Sequence, residues 1–227
     1  MKTWKIVLVG FFVVSLLLTV TGAFADQIIP ISYDMINGRT TDYPYYSVRD
    51  DTYTGGTGNP SLDYSTLSGG KGDLTDGILA TGYWFQSQAA AAPYVGWKDG
   101  YYGVPNPTIT FHFDTSYIFN QVSVRMVQQY RPGSVDVTVD SNPVLNFIND
   151  PLGPSGWEWV NLPIANLIGN KVVVKLNDNT YAWNTDWIMI DEVKFYGTPY
   201  STGVPEPTTM LLLGLGLMGL AGVRRKI

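Results

Sequence analysis

Residues 134–140 place Val135, Val137 and Val139 on one side of an extended chain and Asp136, Thr138 and Asp140 on the other. A period of two fits a strand and no helix, because side chains alternate across a strand but repeat every 3.6 residues on a helix. The same alternation runs through residues 108–114, where Ile109, Phe111 and Phe113 oppose Thr110 and His112. It recurs in 120–127, where Val122, Val124 and Met126 oppose Ser123 and Arg125. Residues 171–176 are Val-rich and read as a strand buried on both faces, and 157–162 are a further candidate. Twenty-four glycines and fourteen prolines supply turns between short strands. The mature region offers no helix of ten residues, and the Gln88–Ala92 run allows one turn before Pro93 stops it. The pattern predicts an all-β, antiparallel sandwich.

In the last strand the phase changes. Ile188 and Ile190 are in step, Val193 and Phe195 are in step, and the two pairs differ by one residue at Asp191-Glu192. Either a β-bulge there returns both pairs to the core and re-aims one carboxylate, or the strand is buried on both faces. Residues 33–106 alternate weakly and are rich in Tyr, Gly, Asp and Pro. They read as long loops around two or three strands, one of them near 45–49.

Both ends differ from this middle. Lys2 and Lys5 precede an apolar run from Ile6 to Val20, and Ala23-Phe24-Ala25 follows. This is the layout of a secretory signal helix over 1–25, cut by signal peptidase before Asp26; a permanent anchor is the alternative. At the other end Val204-Pro205-Glu206-Pro207 precedes an apolar stretch, then Arg224-Arg225-Lys226. A helix over the sixteen residues 208–223 would be about 24 Å long, short for a bilayer core. The basic cluster should stay cytoplasmic, which sends the middle of the chain outward. The expected organisation is a signal peptide (1–25), a sandwich (26–198), a linker (199–207) and a short transmembrane helix with a basic tail (208–227).

This tail resembles the PEP-CTERM sorting signal of Gram-negative, exopolysaccharide-producing bacteria. The resemblance implies recognition by an exosortase, a membrane-embedded cysteine protease, near Pro205-Glu206-Pro207. It also implies passage through the periplasm to the cell surface or matrix. A plain tail anchor would leave the proline box unexplained.

Between residues 26 and 203 there are nine Lys and Arg against eighteen Asp and Glu, a net charge of −9. An acidic exported domain is a poor nucleic-acid binder, since phosphate contacts need clustered cations. The chain has no cysteine and one histidine, which excludes a disulfide scaffold, a thiol nucleophile and Cys- or His-rich metal sites. Without disulfides, an exported domain must draw stability from its core or from a bound ion.

Gly72-Asp73-Leu74-Thr75-Asp76-Gly77, then Tyr83-Trp84, the strand at 108–114, the strand at 134–139 and the ending Glu192-Val193-Lys194-Phe195-Tyr196-Gly197 stand in a telling order. Over residues 60–197 this resembles the galactose-binding-like jelly roll of discoidin and coagulation-factor type C domains, a fold shared by many carbohydrate-binding modules. The 86–106 insertion and the lack of cysteine depart from that family. The resemblance implies a structural calcium between the Asp-Gly loop and the last strand, with Asp76, Asp73, Thr81 and Glu192 supplying oxygens. Calcium takes six to eight oxygens, which loop carbonyls and carboxylates can provide. The same loop sequence also makes an ordinary Asx turn.

Aromatic residues crowd three stretches, around Tyr43–Tyr53, Tyr83–Tyr102 and Tyr181–Trp187. A ring with an apolar face and a polar tip suits a partly wet surface and can stack on a sugar. Tyr101, Tyr102, Trp97 and Trp183 are candidate platforms, with Arg131 a candidate partner for sugar hydroxyls; Arg49, Lys98, Asp99 and Asn184 are others. At least half of the aromatics should instead be core. His112 sits between two core phenylalanines and points away from them as a structural residue. No Gly-x-Ser-x-Gly elbow, His-Glu-x-x-His helix, P-loop or dinucleotide fingerprint is present. The expected function is a non-catalytic module that recognises extracellular polysaccharide in the envelope or biofilm matrix. A matrix or adhesion protein without glycan specificity is the alternative, and a small lyase or glycosidase is the third.

Overall fold

The computed structural model describes residues 25–40, 47–82, 93–98, 106–127, 130–148, 157–178, 187–201 and 211–218. The signal segment 1–24, with Ala23, lies outside them, as do the Gln88–Ala92 run and the sorting residues Val204, Pro205, Glu206, Pro207, Arg224 and Arg225. Ala25 is exposed and directly precedes the first strand.

Among the described residues eleven strands follow one another: β1 (Asp26–Ile28), β2 (Ser32–Ile36), β3 (Arg39–Thr40), β4 (Ser47–Val48), β5 (Thr66–Gly70), β6 (Val95–Lys98), β7 (Thr108–Val127), β8 (Ser134–Val139), β9 (Leu145–Ile148), β10 (Trp157–Asn177) and β11 (Trp187–Pro199). The predicted strands at 108–114 and 120–127 are two halves of β7, and those at 157–162 and 171–176 are two halves of β10. All ladders are antiparallel. Nine strands form one continuous sheet, ordered β1-β11-β7-β10-β8-β9, with β2 and β5 joined through β7 and β6 joined to β11.

That sheet closes on itself as a sandwich because β7 bends. Phe113 and Phe119 lie six residues apart, about 20 Å along a straight strand, yet their ring centroids are 5.0 Å apart. Before the bend β7 pairs with β2 and the second half of β10; after it, β7 pairs with β11 and the first half of β10. The two halves face each other through rings. Phe195 of β11 lies 4.8 Å from Phe111 and 5.1 Å from Phe113, and Tyr33 of β2 lies 5.6 Å from Phe111. Such aromatic pairs prefer edge contacts, each worth about 0.5–1.5 kcal/mol beyond burial.

The alternation predicted for β8 and the first half of β7 holds: Val135, Val137, Val139, Ile109, Phe111 and Phe113 are all core. Two readings of the pattern differ. In β10, residues 171–176 alternate, with Lys171 exposed and Val173 half-buried, so the segment buries one face. In the second half of β7 both faces are buried, including Ser123 and Arg125. Neighbouring side chains and a crossing segment cover the polar side.

β1 pairs Asp26 with Gly197, so the first residues after the expected signal cleavage point lie beside the end of the last strand. Residues 211–218 form a helix of eight described residues. Among the described residues no helix is long and apolar enough to cross a membrane.

Candidate functional site

β11 carries the irregularity that its sequence phase implies. Ile190 pairs with Met126 and Glu192 with Arg125, which leaves Asp191 as the extra residue of a bulge. Residues 188–193 are also all buried, so both readings of this strand apply at once. The bulge aims Asp191 at Arg125, whose Nη1 forms an ion pair with Asp191 Oδ2.

A segment from the Asp-Gly loop straps this end of the strand. Val193 N–H donates to the Leu74 carbonyl at 2.9 Å, and Gly77 N–H donates to Glu192 Oε2 at 3.1 Å. Ala80 N–H donates to Asp191 Oδ2 at 2.8 Å, and Arg125 Nη2 donates to the Ala80 carbonyl at 3.1 Å. Two glycines permit the path. A Cβ at Gly72 would collide with Asp50 Oδ1, and Gly77 has φ near +79°, a conformation costly for other residues. Burial lifts Asp191 to about 6 against the pull of Ala80 N–H and Arg125, and lifts Glu192 to about 8.

Beside the strap lies a cleft of about 180 Å³ lined by residues 27–30, 75–77, Glu192 and Val193. The Thr75 hydroxyl is buried and has no hydrogen-bond partner among the described residues. Asp76 is exposed, and its Oδ1 accepts the Ile78 N–H at 2.7 Å. Asp76 and Glu192 therefore both line this cleft. Thr81 is exposed and does not line it.

Asp73 belongs elsewhere. It is 3% exposed, and its Oδ1 accepts the Thr52 hydroxyl at 2.7 Å while its N–H donates to Asp50 Oδ1 at 3.0 Å. Asp50 is fully buried and also accepts the Tyr33 hydroxyl. Burial raises Asp50 to about 6 and, with the Asp50 charge, Asp73 to about 7. Neither Asp50 nor Asp73 lines the cleft. Among the described residues no three Asp, Glu or His side chains gather where they could hold a metal. The side chains offer a hard cation two carboxylates and one unpartnered hydroxyl, so the remaining oxygens of a calcium shell would have to be loop carbonyls.

The aromatic expectation needs two corrections. Trp97 is 1% exposed and its Nε1–H donates to the Ile36 carbonyl at 2.7 Å. It is a core ring whose one polar atom is satisfied internally, and it offers no face to a sugar. Arg131 is 8% exposed and likewise presents no open guanidinium. Tyr101, Tyr102 and Trp183 lie outside the described residues. The flanks of their segments are brought together: Lys98 pairs with Trp187, and Asp178 N–H donates to Asn106 Oδ1 at 3.0 Å. Trp187 is half-buried, with Arg39 and Lys98 over its ring at 5.6 and 5.8 Å.

His112 points away from Phe111 and Phe113, as its register requires. Its Nε2 lies 2.7 Å from Asp34 Oδ2, while the Ser68 hydroxyl donates to Asp34 Oδ1 at 2.8 Å. Asp34 stands between the hydroxyl and the imidazole, so His112 cannot take the Ser68 proton as a base would. Sequence reading missed Arg125 and Asp50. Arg125 left one signal, a lone charge among alternating apolar residues; Asp50 left none, because Asp50-Asp51 reads as an ordinary acidic surface pair.

Residues 30–197 match the family model described as the DS-like domain of discoidin domain-containing receptors 1 and 2. Residues 203–226 match the PEP-CTERM protein-sorting motif. No curated protein matches the chain in sequence. Among solved structures, the chain resembles a truncated AlyQ with CBM32 and alginate lyase domains, at 12% identity and a TM-score of 0.41, over 80% of this chain and 36% of that one. It therefore spans about a third of that two-domain protein. The CBM32 of AlyQ in complex with 4,5-unsaturated mannuronic acid matches at 12% identity and 0.39, over 75% of this chain and 97% of that one. The family 32 module of Clostridium perfringens NanJ in complex with galactose matches at 5% identity and 0.37, over 55% and 82%. Likeness at this level does not carry a ligand from one chain to another.

Proposed function

The chain belongs to the discoidin DS-like domain family, and from that premise we propose that it is an exported, non-catalytic binding module for extracellular polysaccharide. The observation that carries this reading is the joining of two matched segments in one chain. A DS-like domain over 30–197 is followed within six residues by a sorting motif over 203–226. The motif directs an exported protein to the surface of a Gram-negative cell, with exosortase as the processing enzyme and signal peptidase acting first before Asp26. The domain then works in the envelope or biofilm matrix. Its sugar contacts are Tyr101, Tyr102 and Trp183, whose segments start from adjacent strand ends. The structures it resembles include modules captured with galactose and with an unsaturated mannuronic acid.

A panel of immobilised polysaccharides tests the proposal with the full-length protein in detergent. Saturable binding to one sugar class, weakened at least tenfold by Tyr101→Ala with Tyr102→Ala, supports it. No binding by a protein shown to be folded overturns it and favours a matrix or adhesion role through protein contacts.

The same reading includes a structural calcium at the Asp76–Glu192 cleft. The unpartnered Thr75 hydroxyl and the missing disulfides favour it. The melting temperature should rise with calcium relative to chelator, and Glu192→Gln should shrink that rise. Identical melts would remove the metal from the proposal. Replacing Pro205-Glu206-Pro207 by alanines should leave a longer, membrane-held product, visible as a size shift.

A further inference from the structure

The outer face of the β11–β7–β10 sheet divides into a covered end and an open one. At the covered end Glu192 and Arg125 share a row under the strap. Next along the strands Lys194, Ser123 and Asn161 are paired across β11, β7 and β10. Beyond them Tyr196 pairs with Gln121. Trp159 lies opposite Arg125 on the same face of β10. Their partners in the alternation (Val193, Phe195, Val122, Val124 and Leu162) are core, which fixes this set as outward.

Lys194, Tyr196, Gln121, Trp159 and Asn161 reach solvent and form a polar, aromatic surface, with the buried Ser123 hydroxyl beneath them. The Ser123 hydroxyl donates to Asn161 Oδ1 at 2.7 Å, and Gln121 Nε2 donates to Ser123 Oγ at 2.8 Å and to Asn161 Oδ1 at 3.3 Å. Asn161 Nδ2 and Gln121 Oε1 make no hydrogen bond among the described residues, so a donor and an acceptor remain beside each other. The Lys194 ammonium lies 4.7 Å from the Trp159 ring centroid. Two strand spacings and four residues separate Trp159 from Tyr196, about 16 Å. None of the six is a carboxylate, although the 26–203 region carries a net charge of −9. An anionic polymer is repelled over most of this domain and meets a cation here.

We propose that this sheet face binds an extended polysaccharide bearing carboxylates, with a sugar carboxylate at Lys194, hydroxyls on Asn161 and Gln121, and ring faces against Trp159 and Tyr196. The proposal rests on the reading of the chain as a glycan-binding module and adds, to the contacts proposed at the loops, a second set on the sheet. A flat row of amides between two aromatics suits a stretched chain. A protein partner would instead favour an apolar centre, which this face lacks.

Two probes test it on the full-length protein by calorimetry: a polygalacturonate hexamer and the uncharged cellohexaose. Lys194→Gln should weaken the uronate hexamer about tenfold, the scale of one charge-assisted hydrogen bond, and leave cellohexaose within about twofold. Asn161→Ala should weaken the uronate as well, and raising the salt should reduce the Lys194 effect. Both substitutions are at the surface, and a thermal melt confirms folding. Uronate binding that survives Lys194→Gln and Asn161→Ala but falls with Tyr101→Ala overturns the sheet-face site while leaving the glycan module standing. Tighter binding of cellohexaose than of the uronate overturns the charge preference, and with it the proposal. Binding of neither probe overturns the sheet-face site, and silence across the wider polysaccharide panel would overturn the module as well.

Discussion

One sheet face contains both Arg125 and Lys194, two residues of like charge on neighbouring strands, yet they have opposite fates. Arg125 sits under the strap, 9% exposed, with its guanidinium used by Asp191 and the Ala80 carbonyl. Lys194 stands half-exposed over Trp159. The difference comes from the Asp-Gly segment, which crosses one end of the face and stops short of the other. Where it crosses, charges are desolvated and must pair, so they become structure. Where it does not, the same kind of side chain keeps its water and can exchange it for a ligand.

The sharpest way to break the comparison is to remove Arg125. Arg125→Leu leaves Asp191 buried without its partner and should cost about 3–5 kcal/mol in urea unfolding. Pairing it with Asp191→Leu should recover much of that loss. A cost near zero would mean that the strap does not bury this end.

A second test uses pH. Asp50, beneath the same segment, is raised to about 6 by burial. A carboxyl raised on folding is held protonated more strongly by the folded state. Its folded form is therefore favoured at low pH, and stability falls as pH rises from the ordinary carboxylate range through about 6. Between pH 5 and 7.5 the Asp50 share of the loss should be on the order of 1–3 kcal/mol, and Asp50→Asn should make the curve shallower, with Asp73, Asp191 and Glu192, also raised by burial, supplying the slope that remains. A stability that rises over that interval would contradict the burial.

Gly72→Ala probes the path of the strap. The new methyl group meets Asp50, and overpacking of this kind costs about 1–3 kcal/mol. Lys194→Gln marks the small end of the scale. It should change stability by less than about 0.5 kcal/mol while changing uronate affinity, the reverse of the pattern at Arg125.

The alternation of β8 and of the first half of β7 was legible in the sequence because a strand's side-chain period is a local property. So were the sorting tail and the phase change at Asp191, each of which is written within a few neighbouring residues. The fate of the polar face was not. Arg125 and Lys194 occupy equivalent places in alternating patterns, and a segment more than forty residues before Arg125 decides which of them is covered. Trp97 shows the same limit: its aromatic neighbourhood matches a binding loop, but its register opposite Ile188 puts it in the core. Asp73 sits in the loop expected to hold a cation, yet turns toward Asp50 and Thr52, a contact that spans more than twenty residues. Sequence alone determined the strand period, the acidic balance and the sorting motif, since these depend on residue types and short spacings. Tertiary structure decided which carboxylates meet at the Glu192 cleft and which side chains stay open on the sheet, because both depend on where a distant segment crosses and excludes water.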